Sequence, residues 1–291
     1  MLAAIASLFR TLNAQLLYRQ GVINSMLKAT YLVSVSFFKW WSSKKIPARI
    51  TTIYNYDRDL KIRIDVSKTM GASLYWTGFH EFNEMRFLHK FLKDDMTFVD
   101  VGANQGEFSL FASKRVTNGL VLAFEPMSFF YDRLVDNVEL NGMNNVRCFR
   151  LGLSDYNGEV PIYFNNDNAS NHEGLASIFP IAQTAGDKET IRLATLDEVA
   201  TRESIERIDF IKVDVEGSEW AVLRGAEQVL KRFHPALMIE LNEQTALKAG
   251  YKVQEMVSWL ESRGYKPYQM VKKGLQPLDI RSFCNAVFLH H

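Results

Sequence analysis

The 291-residue sequence has two cysteines, Cys148 and Cys284, too few for a disulfide framework and in keeping with a reducing setting such as the cytoplasm. It has no acidic residue between Met1 and Tyr56, although Arg10, Arg19, Lys28, Lys39, Lys44, Lys45 and Arg49 fall there. The whole chain is within one charge of neutrality, so the remainder is mildly acidic, which argues against a nucleic-acid surface on that part. No long apolar run spans a membrane's width: Arg10, Arg19, Lys28 and Lys39 interrupt the apolar start. The first cation follows the first apolar run, contrary to the order in a secretory signal. No G-x-G-x-x-G follows any predicted strand, so the phosphate-binding fingerprint of a dinucleotide enzyme is missing.

What is there begins with helical spacing, in Leu2, Ile5, Leu8, Phe9, Leu12 and Leu16. Residues 1–48 are expected to form a basic, apolar helical extension. As an interfacial helix pair, it would carry Phe37, Phe38, Trp40 and Trp41 to headgroup depth on a membrane, with Lys44 and Lys45 facing anionic lipid. As a helical cap, it would cover the catalytic domain or the partner in a homodimer. Its serine-containing, acid-poor composition also fits an organelle transit peptide. Ile46-Pro47 marks a boundary, and residues 49–291 read as one domain. Alternating apolar residues in Arg49 to Tyr56 and Leu60 to Val66, joined across D-R-D, predict a β-hairpin at its start. The aromatic stretch from Gly71 to Phe82 is able to fold over a ligand, although packing against a sheet suits Tyr75 and Trp76 better, and Asn83 to Leu92 returns to helical spacing.

The chain is organised around M-T-F-V-D-V-G-A-N-Q-G, residues 96–106. A strand, Thr97 to Val101, runs into a glycine-bracketed turn, and Glu107 to Lys114 has the spacing of a helix. Such a turn lets a ligand approach the backbone closely. A loop built for pyrophosphate wants N–H donors without a carboxylate beside them. Asp100 ahead of the first glycine instead suits a ligand with a cationic end, and S-adenosylmethionine, with a sulfonium and an ammonium, is of that kind. The next apolar run, L-V-L-A-F-E-P, ends in Glu125, where a carboxylate can accept from both hydroxyls of a ribose.

Further on, Ser128 to Asn141 reads as a helix and Val146 to Leu151 as a strand, followed by Ser154 and Asp155, placed to accept from an adenine amine. A plain turn before Asn157-Gly158 explains those two almost as well. Short strands V-P-I-Y-F and T-I-R-L flank a polar stretch containing N-N-D-N-A-S-N-H-E, expected to form part of an acceptor site. Ile208 to Val215 is a buried strand ending at Asp214, with residues 216–226 expected as a helix, and Pro235 to Leu241 ends at Glu240. Two more strand candidates, Tyr265 to Val271 and Ala286 to His290, complete an α/β pattern with a mainly parallel sheet. Ligands of such sheets lie beyond the carboxyl ends of the strands, where Asp100, Glu125, Asp155, Asp214 and Glu240 would gather. Asp214 and Glu216, and next Glu240, are the candidate general bases; Glu219 reads better as a charge in the first turn of a helix. Asp214, Glu240 and Asn242 also form an oxygen set of the kind that holds Mg²⁺, but two hard ligands on adjacent strands coincide easily, and no metal ligand is assigned.

The runs F-V-D-V-G-A-N-Q-G-E-F, A-F-E-P, L-S-D, I-K-V-D-V-E-G-S-E-W-A-V-L-R-G-A and I-E-L-N together resemble the FkbM family of S-adenosylmethionine-dependent methyltransferases, from about Ser73 to the C-terminus. The resemblance implies a class I methyltransferase fold, Rossmann-like, with a seven-stranded sheet whose last strand is antiparallel. It implies O-methylation of a hydroxyl on a sugar, glycolipid or related natural product. It places Asp100, Gly102, Asn104 and Gly106 at the methionine end of the cofactor, Glu125 at the ribose, and Ser154 with Asp155 at the adenine edge. A small-molecule or glycan acceptor follows, without nucleic acid. Two other classes stay open on sequence: an inactive methyltransferase-like binding module and an NAD-dependent oxidoreductase.

Overall fold

The structure, a computed structural model, describes residues 2–18, 25–42, 44, 49–164, 187–271, 274–279 and 284–291. These fall into two compact units. The first takes in the chain up to Phe91 together with Val135–Met143. It begins with helices α1 (Leu2–Tyr18) and α2 (Ser25–Ser42), continues through an antiparallel hairpin of β1 (Ile50–Tyr56) and β2 (Leu60–Asp65), and ends with α3 (Thr69–Thr77) and α4 (Phe82–Phe91). Ala6, Phe9 and Trp76 form a small core with Phe37, Phe38, Trp41 and Tyr75 packed against it. Tyr75 and Trp76 therefore pack on helices of their own unit and not on a sheet, because the aromatic stretch is itself helical and its apolar side faces α1 and α2.

Two polar anchors fix α1. Asn13, fully buried, donates to Ser34 Oγ (3.0 Å) and to the Thr77 carbonyl (2.8 Å). Arg10 is buried too, donating to Asn55 Oδ1 and the Tyr75 carbonyl, and burial lowers its pKa to about 10. The hairpin groups with these helices, and its β2 strand is bordered by asparagines: Asn137 and Asn141 each accept from and donate to its backbone, at Arg63 and Lys61. A primary amide presents a donor and an acceptor in the spacing of a peptide group, so it substitutes for a neighbouring strand.

The second unit holds the large sheet. In chain order its elements are β3 (Thr97–Val101), α5 (Glu107–Ser113), β4 (Leu120–Phe124), α6 (Ser128–Leu140, whose last residues count with the first unit), β5 (Val146–Phe149), β6 (Gly152–Leu153), β7 (Gly158–Phe164), β8 (Asp187–Ala194), α7 (Leu196–Arg202), β9 (Phe210–Val213), α8 (Glu219–Arg224), α9 (Glu227–Phe233), β10 (Ala236–Leu241), α10 (Glu243–Lys248), α11 (Val253–Glu261), β11 (Tyr265–Val271), β12 (Gly274–Pro277) and β13 (Cys284–His290). The sheet order is β12-β11-β13-β10-β9-β3-β4-β5. From β5 to β10 neighbours run parallel, and β13 is antiparallel to both β10 and β11. This is the expected seven-stranded class I methyltransferase arrangement with one addition: β12, an edge strand paired antiparallel to β11, makes eight. The central strands are buried on both faces, as parallel strands between helices must be, and Leu122, Phe124, Ile211, Val213, Leu237, Ile239 and Phe288 belong to their common core.

Two departures from the sequence reading bear on the site. The strand expected over Val146 to Leu151 ends at Phe149: β5 stays in the large sheet, and β6, which follows it, belongs to a three-stranded sheet of order β6-β8-β7. The run 216–226 is not one helix, since Glu216 and Gly217 have positive φ (54° and 108°) and the helix starts only at Glu219.

Candidate active site

The loop after β3 is held open by backbone geometry that few residues tolerate. Gly102, Asn104 and Gly106 all have positive φ (76°, 50° and 95°). At Gly102 space is decisive as well as angle: a Cβ there would lie 1.9 Å from the Asp214 carbonyl oxygen. The amides of Gly102 and Ala103 donate to the Phe124 carbonyl, which pins the loop to the end of β4. Glu125, just beyond that end, accepts from the Asn104 amide (2.9 Å) with one carboxylate oxygen and from the Met127 amide (3.0 Å) with the other. It is buried, and burial pushes its pKa up to about 7 despite those two bonds. Glu125 is thus both the acid at the tip of β4 and the brace of the glycine loop.

Asp100 is fully buried in β3. Its Oδ2 accepts from Ser109 Oγ (2.6 Å) on α5, and its Oδ1 lies 3.5 Å from the ammonium of Lys212. Lys212 is its register partner on β9 and is itself buried. The same ammonium donates to the Gly102 carbonyl (2.9 Å) and lies 3.4 Å from Asp214 Oδ2. One lysine therefore stands between two carboxylates and ties the ends of β3 and β9 together. Sequence reading gave Asp100 a cationic ligand as counter-charge; the structure supplies a resident one. Lys212 carried a signal, being a lysine inside an otherwise apolar strand two residues before an aspartate.

The second loop, Asp214 to Gly217, is braced by Glu219. One oxygen of this buried carboxylate accepts from the amides of Val215 (3.2 Å) and Gly217 (3.0 Å), and the other from the Tyr251 hydroxyl (2.9 Å). Glu219 is therefore the loop's clasp, as well as a charge in the first turn of α8. Tyr251, immediately after a left-handed Gly250, was invisible to sequence reading because nothing local marks a contact 32 residues away. So constrained, the turn presents Glu216 half-buried, with its pKa raised to about 7 by burial first and then by Asp214 and Glu219.

The remaining predicted residues are distributed around this pair of loops. Ser154 follows β6, is buried, and donates its amide to the Ala194 carbonyl. Asp155 is bound by Arg224 of α8 (2.6 Å), and Arg224 lies over the Trp220 ring. Gly225 closes that helix so tightly against Ser154 that a Cβ would meet the Ser154 carbonyl at 1.8 Å. Glu240 sits on β10, half-buried, opposite Asn285 of β13. The Asn242 side chain caps α10 by accepting from the Gln244 amide, so its oxygen has a structural use. Among the described residues, no cluster of three or more His, Cys, Asp or Glu is placed to hold a metal ion. The polar stretch expected at the acceptor site, including His172, lies outside the described residues.

A family model described as "Methyltransferase FkbM domain" matches residues 100–267, more than half of the chain. Among curated proteins, the chain is 29% identical over 192 residues to "Methyltransferase sdnD" of Sordaria araneosa, covering 57% of this chain and 72% of that protein. It is 30% identical over 152 residues to "Hexuronic acid methyltransferase AglP" of Haloferax volcanii, covering 50% of this chain and 56% of that one. Among solved structures, the "Methyltransferase FkbM" of Methylobacillus flagellatus aligns with a TM-score of 0.48 at 15% identity, over 93% of this chain and 63% of that one.

Proposed function

The chain belongs to the methyltransferase FkbM family, and from that premise we propose that it transfers a methyl group from S-adenosylmethionine to a hydroxyl of a sugar, glycolipid or related natural product. The donor's sulfonium supplies the electrophilic methyl and a good leaving group. The residues present fit such a donor. A left-handed backbone loop lies against the end of β4, the Glu125 carboxylate stands beside it for a ribose, and Asp100 contributes negative charge beneath it. Asp100, Gly102, Asn104 and Gly106 would hold the methionine end, and Ser154 with Asp155 would border the adenine, with Arg224 fixing Asp155. The hexuronic acid named for the Haloferax volcanii relative supports a sugar acceptor.

Orienting two reactants in a near-attack geometry is worth on the order of 7 to 11 kcal/mol. A protonated alcohol still needs a base, and that requirement selects among the three candidates. Asp214 is already paired with Lys212. Glu240 lies on the next strand, within β10. Glu216 alone combines a braced loop, partial exposure and a pKa near neutrality, where a base is both ionised in good part and strong enough to take a proton. This is the observation that carries the reading. Glu216 accepts the hydroxyl proton as the methyl group moves to oxygen. Burial, and after it Asp214 and Glu219, keep its basicity high, and Lys212 keeps it from rising further.

The test is incubation of the purified chain with methyl-labelled S-adenosylmethionine and a panel of hexoses, hexuronic acids and glycolipids. Label recovered in a base-stable ether supports hydroxyl transfer; label released by mild base, as from an ester, sinks it. Calorimetry with S-adenosylhomocysteine separates the inactive alternative, which would keep the fold but lose cofactor binding, and NAD serves as the control.

A further inference from the structure

Helix α2 breaks the usual rule that a surface helix is apolar on one face only. Its inward face is satisfied: Ser34 is fully buried, and Phe37, Phe38 and Trp41 pack against the core of Ala6, Phe9 and Trp76. The residues facing away are Ala29, Leu32, Val33, Ser36, Lys39 and Trp40, a stripe at the three-and-four spacing of one helix side. Leu32 is 66% exposed, Val33 47% and Trp40 48%, so the largest apolar groups on α2 outside its packed side are in solvent. Aromatic content alone had placed Phe37, Phe38, Trp40 and Trp41 together at a membrane; the structure turns three of them inward and leaves Trp40.

We propose that this stripe is a docking surface for an anionic membrane, lying in the plane of the lipid headgroups. The helix does not cross: none in the described residues is long and apolar enough to do so. Charge decides the occupant. Lys39 is exposed on the stripe, and Lys44, exposed just beyond it, has its ammonium 5.9 Å from the centre of the Trp40 ring. The first 56 residues contain no carboxylate to answer these cations. A second copy seated on the same stripe would bring like charges together with no acid from this segment to pair them, whereas anionic headgroups neutralise both lysines while the acyl boundary takes Leu32, Val33 and the Trp40 ring. Arg10, which the sequence counts among the cations, is buried and takes no part.

The experiment is flotation of the full chain with vesicles of phosphatidylcholine alone and of phosphatidylcholine mixed equally with phosphatidylglycerol. Binding is expected to the mixed vesicles and to weaken as ionic strength rises toward about 1 M, where the screening length falls to about 3 Å. Leu32→Glu with Val33→Glu should weaken it about tenfold or more, and Lys39→Gln about fivefold. Trp40→Phe should abolish a blue shift of tryptophan fluorescence on vesicle addition. All four side chains are exposed, so thermal melts should not move. The proposal is overturned by equal binding to both vesicles, by no binding to either, or by an unaffected Leu32→Glu, Val33→Glu variant. It is also overturned by a dimer, seen in sedimentation without vesicles, that the same variant dissociates.

Discussion

After β3 the chain turns through Gly102, Asn104 and Gly106, and after the neighbouring parallel strand β9 it turns through Glu216 and Gly217, all five with positive φ. Each turn is braced by a buried glutamate accepting two backbone amides, Glu125 for the first and Glu219 for the second. Each strand carries an aspartate against the same ammonium, Asp100 on one side of Lys212 and Asp214, at the end of β9, on the other. The difference lies in what the turns display. The first offers glycines and an asparagine, a surface of backbone suited to holding a ligand. The second offers Glu216, a side chain whose pKa burial raises to about 7. On the proposed reading the same scaffold thus yields a cradle on one strand and a proton acceptor on the next.

The shared lysine is where the comparison breaks most completely. Lys212→Met should leave Asp100 buried without a counter-charge, destabilising the protein by about 3–5 kcal/mol in urea unfolding and disabling both loops at once. The Glu125 brace should then show itself in the pH dependence of stability. Below its ordinary 4.5 the Glu125 carboxyl is protonated folded or unfolded. As pH rises toward about 7 the unfolded chain releases a proton that the folded one still holds, so stability falls, by about 3 kcal/mol in all. Glu125→Gln should remove that share of the slope in melting temperature between pH 4.5 and 8 while weakening S-adenosylmethionine binding in calorimetry.

On the other loop, Glu216→Gln should lower kcat about 100-fold, near the lower end for a positioned base, and erase the rise in rate as pH passes about 7, with little change in donor affinity. Equal losses in donor affinity for Glu125→Gln and Glu216→Gln would erase the distinction between cradle and base. The smallest effect sharpens it. Tyr251→Phe removes one hydrogen bond to the Glu219 carboxylate, costing about 1–2 kcal/mol of stability, and should lower kcat severalfold while leaving calorimetric affinity for the donor unchanged.

The first loop was legible in the sequence because everything that makes it is local: a five-residue apolar strand, two glycines and a helix in unbroken succession. The mainly parallel sheet followed from alternation of strands and helices, and Glu125 from its place at a strand tip. The second loop was read as helix because V-E-G-S-E-W has helical neighbours, and a non-glycine residue in the left-handed region leaves no mark in composition. Tyr251 and Arg224 escaped for the reason that defines tertiary structure: each acts on a residue dozens of positions away, at Glu219 and Asp155. The aromatic stretch before β3 was assigned to a sheet because an apolar ring does not say which apolar surface it will meet; α1 and α2 supplied one.

The absence of room at Gly102 reaches beyond that residue. With the Asp214 carbonyl against its α-carbon, Lys212 holding the Gly102 oxygen, and the Asp214 amide donating to Val101, neither loop can shift without carrying the other. The two behave as a single keyed block with no slack between donor and base. Such a block cannot be reshaped piecemeal to suit a new acceptor, so on the proposed reading the choice of acceptor has to be written in parts of the chain that do not share the key.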